Sequence, residues 1–307
     1  MDKRIQFRFY ALGLAIVLTL AAPGFASVAG TFDRSFQVSG PVDLEVLSKS
    51  GDITVRNGVA GTVSIHAKIQ VGNSWFGSDH KSEVQEIEKN PPVRQNGNSV
   101  RIDYINYNNI SIDYEITVPY DTAVRAHTGS GDQTVEGLKG RIDLESGSGD
   151  LTLAKLTGDM RFQTGSGNVH GRELAGPARV KAGSGDINIE ETGQGDVDIR
   201  TGSGDITVKG INGGFHAEAG SGDIHGEGAP KNLWSIRTGS GNVRLKVPPD
   251  AAFDVDISSS SGSVTMGHPV TTTVQGKVES HKSVMGKVRG GGPTISVHTG
   301  SGDVDVE

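Results

Sequence analysis

Residues 146–169 read Ser-Gly-Ser-Gly-Asp-Leu-Thr-Leu-Ala-Lys-Leu-Thr-Gly-Asp-Met-Arg-Phe-Gln-Thr-Gly-Ser-Gly-Asn-Val, and the architecture follows from how this stretch repeats. Leu151 and Leu153 flank Thr152, Leu156-Thr157-Gly158 makes a turn, and Met160 and Phe162 then alternate with Arg161 and Gln163. Period-two alternation on either side of a turn predicts two short strands per unit. The closing phrase, Gly-Ser-Gly followed by Asp or Asn, recurs with its last residue at Asp132, Asp150, Asn168, Asp186, Asp205, Asp223 and Asn242, at intervals of 18, 18, 18, 19, 18 and 19. So regular a period means stacked units.

The apolar columns hold from unit to unit. In the first strand Val169, Ile187 with Ile189, Ile206 with Val208, and Val243 with Leu245 point to one side. In the second, Ile142 with Leu144, Ala178 with Val180, Val197 with Ile199, Phe215 with Ala217, and Trp234 with Ile236 do the same. Both sets are core-facing positions. Leu138, Leu156, Leu174 and Ile211 add a buried column at the corner between the strands.

An antiparallel meander of hairpins would place equivalent turns at alternate strand junctions, where nothing requires them to match. In a parallel solenoid they lie directly on one another, about 4.8 Å apart, and identical turns become useful. The near identity of the turns therefore predicts an all-β, single-stranded parallel β-solenoid (β-helix) with coils of about 18 residues. A right-handed coil is the default for parallel crossovers. Left-handed acyltransferase helices repeat an aliphatic residue every six positions, which this chain does not. Calcium-binding nonapeptide repeats place Asp two residues beyond the last Gly, whereas here Asp follows Gly directly; only Gly193-Gln194-Gly195-Asp196 and Gly202-Ser203-Gly204-Asp205 stand nine apart.

The regular coils occupy residues 127–247, and irregular segments flank them. Lys49-Ser50-Gly51-Asp52-Ile53-Thr54-Val55 is a degenerate early repeat. An excursion over 73–109 follows, with helical character from Ser78 to Asn90, Ser78 or Asp79 as its cap and Pro91-Pro92 as its stop. A hairpin is expected around Asn96-Gly97, with Val93 and Val100 to Ile102 as arms, then a strand from Ile110 to Val118. Beyond Asn242 the turn weakens at Ser261-Gly262-Ser263. A locally basic insertion over 267–293, carrying His268, Lys277, His281, Lys282, Lys287 and Arg289, reads as a flexible interruption. The phrase Thr299 to Asp303 and the strand Val304 to Val306 close the chain; either an earlier segment covers that last edge or Asp303, Asp305 and Glu307 discourage pairing with another chain.

Lys3, Arg4 and Arg8, the apolar run Ala11 to Ala22, and small residues ending at Gly24-Phe25-Ala26 have the three regions of a secretory signal. Residues 1–26 are expected to be that signal, cleaved after Ala26 or alternatively Ala29, with an uncleaved anchor as the rival reading; residues 30–307 then form one domain. The apolar run is short for a membrane span, and no later segment is apolar enough for one. No cysteine occurs, which excludes disulfides and a lipid-carrying cysteine behind the signal. Loss of Asp2, Lys3, Arg4 and Arg8 takes the formal charge from −7 to −9, which argues against a nucleic-acid partner. The expected place of the protein is the periplasm, the outer surface or the medium.

The Asp column, Asp132, Asp150, Asp186, Asp205 and Asp223, is the obvious candidate site. Stacked carboxylates can bind Ca²⁺. Asn168 and Asn242 in the same column suit a structural role instead, with the side chain bonding the backbone two residues ahead and Gly permitting positive φ. No metal or cofactor is expected on that reading. Nine histidines scatter; His170 and His225 share an outward column but stand three coils apart, too far to share an ion, and His216 lies on the other strand. A β-helical polysaccharide lyase or hydrolase would need acids clustered on neighbouring coils. The outward second-strand columns instead mix charges, Asp143, Arg161, Arg179, Asp198, His216, Ser235 and Glu145, Gln163, Lys181, Arg200, Glu218, Arg237, so no catalytic residue is expected. The outward first-strand column, Thr134, Thr152, His170, Asn188, Thr207, His225 and Arg244, carries less charge and could bind an extended glycan or protein.

Ile116-Thr117-Val118-Pro119 leading into His127-Thr128-Gly129-Ser130-Gly131-Asp132, the successive Ser-Gly-Asp coils, and Leu245-Lys246-Val247-Pro248 resemble the bacterial putative-adhesin β-strand-repeat family, domain of unknown function 4097. The resemblance covers nearly all of the chain beyond the signal. It implies an exported β-solenoid of the cell envelope, with an envelope or surface protein or glycan as partner, and it brings no catalytic residues. An envelope-stress or signalling accessory that binds through the open end of the solenoid is the alternative role. The chain departs from autotransporter adhesins in lacking a membrane β-barrel segment after the repeats.

Overall fold

The computed structural model describes residues 27–72, 80–271 and 282–307; the signal-like segment lies outside them. Each regular coil lays one strand into each of two parallel sheets that share a single core. Gln133–Glu136, Leu151–Thr157, Val169–Ala175 and Ile187–Glu191 follow one another in the first sheet. Ile142–Ser148, Met160–Ser166, Ala178–Ser184 and Val197–Ser203 follow one another in the second. Two longer strands, Ile206–Ser221 and Ile224–Ser240, run through the corner and serve both. The family of parallel pairings makes the solenoid, and a meander is ruled out.

Register is held because the strands alternate strictly. Leu151 sits beside Val169, then Ile187, Ile206, Ile224 and Val243, all buried. A one-residue slip in any coil would turn these side chains to water. The expected columns of both strands and the leucine corner are all buried. At that corner Leu138, Leu156, Leu174 and Ile211 follow a residue of left-handed backbone, Gly137 (φ 74°), Lys155 (54°), Glu173 (53°) and Gly210 (75°). The kink lets Leu153 and Leu156, three apart, both face inward.

The stack departs from sequence order at both ends. At the amino-terminal end the coil Val42–Ser50 and Ile53–Asn57 pairs directly with Thr122–Ser130 and Gln133–Glu136. The segment between them in sequence lies on the coil's other side, through Ser99–Ile102 and Ile110–Val118. Thr62–Val71 and Ser27–Gln37 then extend the first sheet antiparallel. The helix Lys81–Lys89 buries Val84 and Ile87, and its Glu88 Oε1 accepts the Thr31 backbone N–H at 2.9 Å. A sheet edge is blunted by that cover. The expected helix and the hairpin Val93–Asn96 and Ser99–Ile102 are both present, with Gly97 at φ 60° in the turn. The helix cap is His80; Ser78 and Asp79 lie outside the described residues.

At the other end the chain steps past one coil position, lays down Phe253–Ser261 and Val264–Met266, and returns to fill the gap. Thr294–Ser301 and Val304–Val306 are sandwiched between the preceding coil and that outlying one. An earlier segment therefore covers the last edge. The expectation of a flexible insertion over 267–293 is corrected for its described part: Ser283–Val288 pairs antiparallel with Phe253–Ser258, and Val288 is fully buried. Its alternation of Val284, Gly286 and Val288 gives the pleat an inner face. Residues 272–281 lie outside the described set.

Candidate functional site

The Gly-Ser-Gly-Asp corner is a ladder in which each side chain serves the next coil. The Asp132 backbone N–H donates to Asp52 Oδ1 at 2.9 Å, Asp150 to Asp132 at 2.8 Å, Asn168 to Asp150 at 2.7 Å and Asp186 to Asn168 at 2.9 Å. Asp205, Asp223, Asn242 and Asp303 continue it, each on the one before, and Asp113 and Ser263 complete the two ends. This corrects the expected bond within each turn: stacking brings the neighbouring coil's amide closer than the turn's own. An amide oxygen accepts as a carboxylate does, which explains Asn168 and Asn242.

Both glycines of the phrase answer to the same stacking. A Cβ on Gly204, whose φ is +132°, would stand 2.2 Å from the Gly185 carbonyl oxygen. At Gly202 it would meet Gly183 O at 2.6 Å. Inside the corner a column of buried hydroxyls caps the glycine carbonyls: Thr164 Oγ1 donates to Gly149 O at 3.1 Å, Thr238 to Gly222 O at 3.1 Å and Thr299 to Gly241 O at 3.1 Å. The corner's backbone groups and one oxygen of each Asp or Asn side chain are thus engaged between coils. Among the described residues no group of three or more His, Asp or Glu is placed to hold a metal ion.

The second corner keeps one stacked glycine, Gly140, Gly158, Gly176, Gly195 and Gly213, and varies in the residue that follows it. The residue that opens the second strand is Asp159, Pro177, Asp196, Gly214 and Leu233 in succession. There a groove of about 790 Å³ opens, lined by Pro177, Gln194, Asp196, Asn212, Lys231 and Asn232, and it continues onto the second sheet at Arg179 and Asp198. Asp196 Oδ1 accepts the Gly214 N–H at 2.6 Å and an Asn232 amide hydrogen at 3.0 Å. The Asn232 bond first, then the Gly214 bond, hold its carboxyl below the usual range, so it stays an anion.

Glu191 is the departure inside. Strict alternation after Ile187 and Ile189 turns it inward beside Leu174, into the leucine column, where it is 7% exposed. Among the described residues its Oε1 has no hydrogen-bond partner, and burial raises its pKa to about 8. Side-chain desolvation without compensation favours the neutral acid. The column reading missed Glu191, although the alternation of Ile187, Ile189 and Glu191 signalled it.

The outward columns lie as expected. Thr134, Thr152, His170, Asn188, Thr207, His225 and Arg244 align strand by strand, with a shallow dent of about 390 Å³ around His170 and Gly171. On the second sheet Asp143, Arg161, Arg179, Asp198, His216 and Ser235 align, and so do Glu145, Gln163, Lys181, Arg200, Glu218 and Arg237. Arg200 contacts Asp198 on its own strand at 3.3 Å and Glu218 on the next coil at 3.9 Å, and His127 lies beside Glu145 across the coils at 3.5 Å. Near the amino-terminal end Tyr104 stands edge-on over His127 and Lys49 donates to Asn106, so the segment after the hairpin covers part of this face.

Coils stacked around one core, with their variable side chains on the outer faces and one corner, define a β-solenoid scaffold. The chain belongs to the Toastrack DUF4097 family, which matches residues 43–307. Among solved structures, a putative adhesin of Bacteroides fragilis is similar at 14% identity over 92% of this chain and 100% of its own, with a TM-score of 0.39. A putative cell adhesion protein of Clostridium sporogenes is similar at 10% identity over 90% and 98% of the two chains, TM-score 0.21. A putative lipid binding protein of Parabacteroides distasonis is similar at 12% identity over 90% and 97%, TM-score 0.32. No curated protein matches the chain.

Proposed function

We propose that this protein is an exported, non-catalytic scaffold that binds an envelope or surface protein or glycan along its lateral faces. One observation carries the reading: antiparallel strands of the chain itself end both sheets at the amino-terminal end and the second sheet at the other, while the columns between them stand in register and exposed. A rigid face of this kind binds without the cost of ordering itself. Export is supported by the signal-like residues 1–26, and among the described residues no helix is long and apolar enough to cross a membrane. The buried acid with a raised pKa, Glu191, lies in the core and away from either face, which supports a non-catalytic role.

Protease treatment of intact cells, with the protein followed by immunoblot, tests the location: cleavage or release of the chain is expected, and complete protection would confine the role to the cell interior or periplasm. Assay against a panel of envelope glycans tests the chemistry. Turnover abolished by changing any one acid would overturn the non-catalytic reading.

A further inference from the structure

The second sheet carries cations that the fold does not neutralise. Arg161 and Arg179 are direct neighbours across two coils, and Lys181 lies two residues along from Arg179 on the same exposed face. Among the described residues none of the three makes an ion pair or side-chain hydrogen bond. The nearest acids in their column are engaged elsewhere: Asp143 with Arg141 at 3.6 Å and Asp198 with Arg200 at 3.3 Å. Like charges directly opposite on a sheet are destabilising. In a chain of net charge −7, such a patch is a place for an anion from outside.

The patch adjoins the groove of the second corner, whose chemistry narrows the ligand. Asp196 presents an anionic acceptor whose Oδ1 is already bonded, leaving Oδ2 for a donor from outside. Gln194, Asn212 and Asn232 supply amide donors and acceptors, and Lys231 a further cation that makes no ion pair among the described residues. Carboxylate and amide groups recognise hydroxyls, while Arg and Lys recognise carboxylate, sulfate or phosphate. An acidic peptide has few hydroxyls for Asp196 and is repelled by it. A lipid surface needs a broad positive face, and here acids flank the cations within one coil on either side, at Asp143 and Asp198.

We infer that Arg161, Arg179 and Lys181, together with the Asp196 groove, bind an acidic polysaccharide, the hydroxyls entering the groove and the anionic groups meeting the cations coil by coil. This rests on the scaffold reading and names its ligand class. The full exported chain is tested by calorimetry against polygalacturonate, dextran sulfate, neutral dextran, polyglutamate and phosphatidylglycerol vesicles. Expected are binding to one or both acidic glycans, none to dextran, and loss of affinity at about 1 M salt, where the Debye length is about 3 Å. The variant Arg161→Gln/Arg179→Gln/Lys181→Gln should bind about tenfold more weakly or worse, Asp196→Asn should weaken the glycans alone, and Lys209→Gln on the opposite sheet should bind normally. Matching melting temperatures establish that the variants are folded.

No binding to either acidic glycan, tighter binding to polyglutamate or to vesicles, or an unaffected triple variant would overturn the assignment. The two readings fail separately. A chain that binds cell surfaces but ignores the triple substitution keeps the scaffold and loses this ligand, whereas a chain that binds no surface and no glycan loses both.

Discussion

The two corners of each coil differ in how much of the turn repeats: the whole phrase at one, a single stacked glycine at the other. At the Gly-Ser-Gly-Asp corner every coil offers the same backbone and the same acceptor, because each turn is the hydrogen-bonding partner of the next. At the other corner the opening residue changes from Asp159 to Pro177 to Asp196 to Gly214. Repetition of the whole phrase marks the corner where every side chain serves the next coil, and variation around one shared glycine leaves the other corner free to differ. The most conspicuous motif is accordingly the one that ties coil to coil.

The largest test of that contrast lies at Glu191, the acid in the second corner's apolar column. With a folded pKa of about 8 against an ordinary 4.5, the folded protein holds a proton that the unfolded chain has released. Its stability is therefore fully present below about pH 4.5, falls as pH rises, and levels off above about pH 8. The fall should amount to roughly 5 kcal/mol at most. Urea midpoints at pH 5 and pH 9 measure it; Glu191→Gln should flatten the slope and Glu191→Leu should stabilise the protein at high pH. A slope unchanged in Glu191→Gln would mean the carboxyl finds water.

Next in size is a methyl group at the repeated corner. Gly204→Ala forces a Cβ against Gly185 O in a backbone region alanine avoids, at an expected cost of about 2–3 kcal/mol. Gln194→Ala at the variable corner should change stability by less than about 0.5 kcal/mol. Equal losses would erase the distinction between the corners.

A smaller effect separates ladder from metal site. Asp205→Ala strips the acceptor from the Asp223 N–H and should cost about 1–2 kcal/mol, while Asp205→Asn should be close to neutral, since Asn168 and Asn242 already do the same work. Ca²⁺ should leave the melting temperature of each unmoved; a rise in the wild type that Asp205→Asn removes would restore the calcium reading. The smallest effect should run the other way. Arg179→Gln relieves its repulsion with Arg161 and is expected to stabilise by a few tenths of a kcal/mol, visible as a slightly higher urea midpoint.

Much of this molecule was legible in one repeat. Leu151, Leu153, Met160 and Phe162 give away both strands, and the intervals between turns give away their stacking. The helix and hairpin of the excursion were legible too, from Pro91-Pro92 and Asn96-Gly97. The order of coils at the ends was not, because Thr299 to Val306 carries the same pattern whether it is placed last or slotted between two others. The candidate groove was equally hidden. Gln194, Asn212 and Lys231 stand 18 and 19 residues apart, at the repeat interval itself, but they differ in type, so no shared motif marks them as one site.

By itself the sequence determined the strand period, the inward columns and the parallel stacking, since each depends on residues close along the chain and on a repeat that must match itself. Only the tertiary structure decided which coil lies beside which at the ends, that each Asp serves its neighbour's turn and not its own, and that Arg161, Arg179 and Lys181 make no ion pair among the described residues while Asp143 and Asp198 beside them pair with Arg141 and Arg200. The physical reason is common to all three. Stacking converts a separation of eighteen residues into one strand spacing, and the chemistry that results belongs to the contacts between coils.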